Sequence, residues 1–192
     1  MTRQLPVTCE RALLERFLKA EAMALWAVRS AQAKDVPSGV LEFLRRHEED
    51  EVRHLRQFEQ ILGTTSHVKT TLPRVPSSWW ALAVHLYGYE ALGLQFAKLL
   101  VLVRPDLSSI MKDEEVHVSF FENEVRNILV QAGPSAEGAR ECARAWRRRL
   151  PKTVERYLED ESLAPFRDEL RRFILEAIDE RFATVGLCGD SA

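Results

Sequence analysis

Four segments of the chain carry an apolar stripe at three- and four-residue spacing, and a glutamate interrupts each stripe near its middle. The interrupting residues are Glu21, Glu51, Glu90 and Glu114. Apolar residues at this spacing predict amphipathic helices that bury one face. A helix that buries such a stripe also buries its glutamate, so the fold must accommodate four carboxylates inside an apolar core.

The sequence predicts six helices and no strand. Glycine and proline are scarce, with eight of each in 192 residues, and this favours long helices. The expected helices span about residues 8–34, 40–62, 78–103, 107–131, 135–150 and 165–184, with a kinked continuation of the fifth past Pro151 to Glu161 as an alternative. Short links predict that the first two helices are antiparallel neighbours, and likewise the third and fourth.

The second and third helices are separated by about sixteen residues. Extended chain of this length can run along a whole helical bundle. Two helical hairpins joined by one long crossover form an all-α four-helix bundle of the ferritin-like arrangement. We expect this bundle to occupy residues 1–134. Residues 135–192 are expected to form a C-terminal helical extension that packs on it within one compact domain.

Two of the interrupting glutamates begin a Glu-x-x-His pair, Glu51 with His54 and Glu114 with His117. Residues three apart share one face of a helix. Unpaired carboxylates in a core are costly, and four at one level repel one another, so a positive charge is expected among them. Four carboxylates and two imidazoles are a ligand set for two metal ions. Mixed ligands of this kind suit iron or manganese.

An aspartate precedes each pair, so the motif Asp-Glu-x-x-His occurs twice, at Asp50–His54 and at Asp113–His117. A metal-bound histidine usually donates its other ring N–H to a carboxylate, which fixes its tautomer. We therefore predict that Asp113 orients His54 and that Asp50 orients His117 across the bundle.

Two further residues lie near the predicted ligands in sequence. Tyr87 is one turn before Glu90 and is a candidate to hydrogen-bond a ligand glutamate or to gate a substrate pocket, with simple packing as the alternative. His47 is one turn before Glu51 and begins a polar run. We expect His47 to face solvent, with a place beside the ligands as the alternative.

The complete pattern resembles the ferritin-like di-iron carboxylate superfamily, of the rubrerythrin, bacterioferritin and di-iron oxygenase type, over about residues 8–131. The resemblance implies two bound iron ions, with manganese or a mixed manganese and iron pair as alternatives. It also implies that six residues are both metal ligands and catalytic, namely Glu21, Glu51, His54, Glu90, Glu114 and His117.

Departures from the superfamily's specialised members narrow the resemblance. The haem-ligating methionine of bacterioferritins would follow Glu51, where this chain has Val52. The radical-forming tyrosine of reductase small subunits would stand at Phe58, and the additional histidine of di-iron N-oxygenases at Ile110. The cysteine-rich module of rubrerythrins has no counterpart among the three separated cysteines. The resemblance therefore identifies no subfamily.

The function implied by the resemblance is that of a non-haem di-iron oxidoreductase. Such an enzyme activates dioxygen or peroxide to hydroxylate or desaturate a small organic substrate, with electrons from a donor such as a ferredoxin or a reductase. A ferroxidase that stores or detoxifies iron is the alternative. A third hypothesis is an interaction module with a structural metal site that binds RNA through a basic segment.

This basic segment, residues 140–156, contains seven arginines and lysines around Trp146. The pattern fits recognition of phosphate or a solvated face balanced by acids at positions 155, 159, 160 and 161, and we favour the solvated face. The net charge of −2 argues against a nucleic-acid binder. No apolar run predicts a membrane span, and the cysteine pattern predicts a cytoplasmic protein. The sequence leaves a homodimer open.

Overall fold

The computed structural model describes residues 5–65 and 75–188, and all regular structure in these ranges is helical. This confirms the all-helical prediction. Six α-helices follow one another along the chain, namely α1 (Glu10–Gln32), α2 (Ser38–Leu62), α3 (Trp79–Val103), α4 (Ser108–Val130), α5 (Gly133–Tyr157) and α6 (Arg167–Thr184).

The first four helices pack as a bundle. Helix α1 packs along α2 and also against α3, while α4 packs along α3 and touches α2. The link between α1 and α2 is residues 33–37, short enough to make the two helices antiparallel neighbours. The crossover expected between α2 and α3 includes residues 66–74, which lie outside the described residues.

Local signals explain where two of these helices begin and end. Helix α2 ends at Gly63, whose φ of 62° lies in the left-handed region that glycine adopts without a steric penalty. Helix α4 is preceded by a 3-10 turn at Pro105–Leu107. The turn packs against both α3 and α4, which it connects.

Helix α3 is the central helix of the fold. It packs against α1, α4, α5 and α6. Among the described helices, only α3 is long and apolar enough to cross a membrane by length and composition, and 67% of its most apolar window is buried inside the protein. A core helix covered on several sides accounts for this composition.

Helix α5 packs closely on α3 through two contacts between a glycine and a tryptophan. A Cβ atom on Gly88 would lie 2.6 Å from Trp146 Cε2, and a Cβ atom on Gly138 would lie 2.9 Å from Trp80 Cη2. Helix α5 also continues through Pro151 to Tyr157, which is the continuation that the sequence left open. The C-terminal residues therefore share an interface with the central helix.

Candidate metal centre

The structure brings the six predicted ligands together inside the bundle. Helices α1 and α3 contribute one glutamate each, and α2 and α4 each contribute a glutamate and a histidine. All six residues are at most 3% exposed, namely Glu21, Glu51, His54, Glu90, Glu114 and His117. The interruptions in the four apolar stripes thus lie at one level of the core.

The ligand atoms form two groups that share Glu51. The His54 group comprises Glu21, Glu51, His54 and Glu114, and the His47 group comprises His47, Glu51, Glu90 and His117. In each group, one ligand atom from every residue lies within 4.8 Å of the others. These two buried clusters could each bind a metal ion.

Distances within the groups match those between ligands of one ion. His54 Nδ1 lies 3.6 Å from Glu21 Oε2 and 3.8 Å from Glu114 Oε1. His117 Nδ1 lies 3.6 Å from Glu51 Oε1 and 3.6 Å from Glu90 Oε2. Nitrogen and oxygen ligands about 2.0–2.2 Å from one ion lie about 3–3.5 Å apart, so small movements suffice to close each group around a cation.

His47 is a member of the centre that the sequence interpretation placed in solvent. Its side chain is 1% exposed, and its Nε2 lies 2.9 Å from Glu51 Oε1 and 3.5 Å from Glu90 Oε2. Its ring lies 3.7 Å from that of His117. The expectation of a solvated His47 is therefore wrong. The signal that could have identified it is its position four residues before Glu51, on the same helical face.

Aromatic residues cover the His47 group. The ring of Phe43 lies 5.7 Å from that of His47, and the ring of Phe121 lies 5.8 Å from it. Phe120 stacks on Phe43 with ring centres 3.6 Å apart. This cover keeps water from His47, which explains why a polar run in the sequence contains a buried histidine.

Both aspartates of the repeated motif lie at hydrogen-bond distance from a histidine of the other helix. Asp113 Oδ2 is 3.1 Å from His54 Nε2, and Asp50 Oδ2 is 3.3 Å from His117 Nε2. Arg53 contacts both aspartates, at 2.7 Å from Asp50 and 2.8 Å from Asp113. With Nε2 engaged in this way, Nδ1 of each histidine is directed at the carboxylates.

Several buried polar atoms of the centre have no hydrogen-bond partner among the described residues. They are Glu21 Oε2, His47 Nδ1, Glu51 Oε2, His54 Nδ1 and His117 Nδ1. Buried polar atoms are nearly always satisfied, so such a concentration requires an explanation. His54 Nδ1 and Glu21 Oε2 face each other without a hydrogen bond, as two ligands of one cation do. The residues therefore fit a pair of metal ions.

Burial changes the acidity of three carboxyl groups in the centre. Desolvation raises the pKa of Glu21 to about 7 and that of Glu51 to about 8. Burial and the neighbouring carboxylates raise the pKa of Glu114 well above its ordinary value. Among the protein groups alone, these carboxyls therefore hold protons near neutral pH. A metal ion that binds them must displace those protons.

The opposite shifts occur in the His47 group. Burial alone would raise the pKa of Glu90, but His47 and His117 outweigh it and hold the pKa at about 2. Burial alone would lower the pKa of His47, but Glu90 and Glu51 outweigh it and raise the pKa to about 10. Among the protein groups alone, Glu90 and His47 therefore form a buried ion pair.

A glycine makes room for one of the candidate ligands. A Cβ atom on Gly93 would lie 2.9 Å from Glu114 Oε2, closer than real Cβ atoms approach an oxygen. The absence of a side chain on this turn of α3 lets the Glu114 carboxylate lie against the helix backbone.

Tyr87 does not lie beside a ligand in this structure. Its hydroxyl donates to Arg181 O at 3.3 Å and to Glu122 Oε2 at 3.5 Å, and its ring stacks on Phe182 at 5.3 Å. Helix α6 provides two of these partners. Of the alternatives that the sequence left open for Tyr87, the contacts with α4 and α6 agree with packing rather than with a hydrogen bond to a ligand glutamate.

An apolar cavity of about 100 Å³ is lined mainly by residues of α1 and α3 and reaches the centre. Its inner end is formed by the carboxylates of Glu21, Glu90 and Glu114. Its walls are mostly apolar and include Phe17, Ala24, Trp26, Leu92 and Phe96. The cavity provides a place for an apolar molecule next to the candidate ligands.

Comparison with known proteins adds no family to these observations. No protein-family model matches the chain, and searches of curated proteins and of solved structures found no match. The interpretation of the centre therefore depends on the all-helical fold and on the two buried groups of histidine and glutamate residues.

Proposed function

We propose that the protein is a non-haem di-iron oxidoreductase with a ferritin-like bundle, which activates dioxygen or peroxide to oxidise a small organic substrate. The observation that carries the proposal is the pair of four-residue groups that share Glu51. The unpartnered Nδ1 atoms of His54 and His117 support it, because they are directed into these groups. Mixed imidazole and carboxylate ligands suit iron, with manganese as the alternative.

Two bound iron ions would supply the redox chemistry, passing electrons between an external donor, the oxidant and the substrate. The chain's own residues hold and orient the ligands. Glu51 belongs to both groups and would keep the two ions close together. Asp113 and Asp50 hold the rings of His54 and His117 in one orientation through their Nε2 atoms.

The surroundings of the centre support oxidation of an organic molecule. Phe43, Phe120 and Phe121 exclude water on the side of the His47 group. On the other side, the apolar cavity reaches Glu21 and Glu114. A substrate in this cavity would lie beside the carboxylates while remaining shielded from bulk water, which limits side reactions.

The decisive experiment is anaerobic loading with Fe(II), followed by addition of oxygen while absorption and retained iron are recorded. We expect iron binding to saturate at two irons per chain. We also expect the spectral changes to stop once the loaded iron has reacted. A double variant of His54→Ala and His117→Ala should retain no iron pair, whereas His85→Ala, outside both groups, should behave as the wild type. Retention of two irons by the double variant would contradict the proposal.

The same experiment distinguishes the proposed oxidoreductase from the alternative, an iron-storage protein. A ferroxidase that mineralises iron would continue to take up many irons per chain without saturation. Light scattering of the same sample would then have to show a cage or another large assembly. A saturating pair in a monomer or dimer favours the oxidoreductase.

A further inference from the structure

A basic cleft of about 450 Å³ lies beside α5, and Tyr89 lines both this cleft and the apolar cavity. Tyr89 and Trp146 form its aromatic part. Four basic residues line it, namely Arg148, Arg149, Lys152 and Arg156. All four are exposed. A concave surface that collects cations in this way attracts anions.

None of these four cations forms an ion pair within the described residues. Arg149 donates from Nε to the backbone carbonyl of Ala145 at 3.3 Å. The neighbouring Arg147, which does not line the cleft, pairs with Asp179 at 2.7 Å. The cleft therefore keeps an uncompensated positive charge, while the arginine next to it is neutralised.

Three of the four acids that the sequence offers as counter-charges are engaged elsewhere. Glu155 pairs with Arg171 at 3.3 Å, and Glu159 pairs with Arg16 at 2.6 Å. Asp160 caps the 3-10 turn that follows α5. The structure does not support the self-balanced solvated face that the sequence favoured.

The cleft and the apolar cavity are neighbours, because residues that are consecutive in sequence line both of them. Tyr89 lines both of them, and the next residue, Glu90, lies at the inner end of the cavity. On α5, Arg156 lines the cleft and Tyr157 lines the cavity. Two neighbouring pairs of residues thus connect the basic surface with the candidate metal centre.

We propose that the cleft and the cavity form one binding site for a small amphiphilic anion, an unbranched apolar chain that ends in a carboxylate or phosphate. This inference rests on the proposed function, because it places the apolar end of the molecule beside the metal ligands. Guanidinium groups bind carboxylate and phosphate through paired hydrogen bonds. The cavity has about 100 Å³ of space within mostly apolar walls, which fits a single chain better than a bulky ring system.

The charges at the two ends set the orientation of the bound molecule. The inner end of the cavity is lined by the carboxyl groups of Glu21, Glu90 and Glu114, and no arginine, lysine or histidine of the described ranges lines the cavity, so an anionic head would find no cationic side chain there. The cleft beside Tyr89 is lined by four cations that form no ion pair within the described residues. The head group therefore lies in the cleft, and the chain passes Tyr89 towards the centre.

Calorimetric titration tests this with decanoate, with 1-decanol as a probe of the chain alone and with acetate as a probe of the head alone. We expect decanoate to bind more tightly than either probe. A double variant of Arg149→Gln and Arg156→Gln should weaken decanoate binding by about tenfold and leave 1-decanol unchanged, since it removes two charge-assisted contacts. Decyl phosphate in place of decanoate shows which head group is preferred.

A matched control removes two exposed arginines far from the cleft, Arg45→Gln and Arg46→Gln on α2. It makes the same change in net charge and should leave decanoate binding as in the wild type. Ala24→Phe, which fills the cavity, should weaken decanoate and 1-decanol alike. Equal losses in the control pair, or no loss in Ala24→Phe, would overturn the proposal.

The titration is made on chelator-treated protein and again after anaerobic loading with Fe(II). Binding of decanoate in both states supports the inference. If decanoate binding requires iron and is unchanged in the Arg149 and Arg156 double variant, the head group lies on the metal and the inference is overturned. Binding of transfer RNA by the cleft without binding of decanoate would overturn it as well. A protein that takes up two irons but binds no decanoate contradicts this inference alone, whereas a protein that binds decanoate but takes up no iron pair contradicts the proposed function alone.

Discussion

The two halves of the candidate metal centre differ in ligands and in surroundings. The His47 group offers two imidazoles and two carboxylates, and aromatic rings cover it. The His54 group offers one imidazole and three carboxylates, and it borders the apolar cavity through Glu21 and Glu114, whereas the His47 group borders it through Glu90. Imidazole favours iron, whereas carboxylate oxygen also suits manganese. The comparison teaches that a repeated motif need not produce equivalent sites, and we expect the two ions to bind with unequal affinity.

Removal of Glu51, the ligand that both groups share, should have the largest effect on metal binding. Glu51→Ala takes a carboxylate from both groups at once, so we expect loss of both tightly bound ions. Iron per chain after anaerobic loading and desalting measures the result. Glu49→Ala, at an exposed position two residues earlier, is the matched control and should retain two irons. A Glu51→Ala protein that keeps one tight ion would show that Glu51 serves only one group.

Removal of His47 should abolish one site and spare the other. We expect His47→Gln to weaken the ion of the His47 group by more than roughly the 10- to 100-fold that loss of an outer partner costs. Titration with Mn(II) followed by electron paramagnetic resonance distinguishes a lone ion from a coupled pair. His85→Gln is the control outside both groups. If His47→Gln still binds a coupled pair, His47 is not a ligand and the two groups are equivalent.

Substitution of the two aspartates should weaken metal binding in one group at a time. Asp113→Asn should lower affinity in the His54 group by roughly 10- to 100-fold, and Asp50→Asn should do the same in the His47 group. The reason is that each amide no longer holds its histidine tautomer, although the shape is kept. Each variant is the control of the other in a calorimetric titration with Fe(II). Identical titration curves for the two variants would contradict separate roles.

The smallest expected effect is a pH dependence of stability without metal. The pKa values of Glu21, Glu51 and His47 are raised to about 7, 8 and 10, so the folded chain binds these protons more tightly than the unfolded chain. This stabilisation is complete below the unfolded pKa values and is lost as pH rises through the folded ones. We expect the free energy of unfolding of chelator-treated protein to fall by at least about 2 kcal/mol between about pH 5 and pH 9.

Urea denaturation followed by circular dichroism measures this slope. Bound metal should reverse it, because the ion replaces the protons and binds better when they are gone. The two groups differ in which protons leave as the pH rises. The His54 group would lose protons from carboxyl groups, whereas the His47 group would lose the proton of His47. A chelator-treated protein whose stability is constant across this range would contradict the raised pKa values.

The sequence predicted that buried glutamates and histidines meet in the core, because the signals for this are local. Glutamates within an apolar stripe, and histidines three residues later, depend only on the helical repeat. The all-helical fold follows from the same periodicity. His47 was misplaced because it begins a run of charged residues, and periodicity alone does not reveal that Phe43 and Phe121 cover it.

The features that the sequence did not predict depend on distant parts of the chain. Tyr87 meets Arg181 and Phe182 because α6 packs there, and nothing near Tyr87 in sequence indicates this. The charge of the basic cleft depends on Arg16 and Arg171, which pair with Glu159 and Glu155 from distant parts of the sequence. The apolar cavity is a product of side-chain packing between two helices.

The contact between Gly88 and Trp146 links properties that evolution could otherwise adjust separately. Gly88 sets how closely α5 approaches α3, Tyr89 forms the wall shared by cleft and cavity, and Glu90 is a candidate ligand. These are three consecutive residues on one helical turn. A lineage that repositioned α5 to accept a larger molecule would disturb the ligand in the same step. New specificity should therefore arise more readily from changes along α1, whose Ala24 and Met23 line the cavity at a distance from this turn.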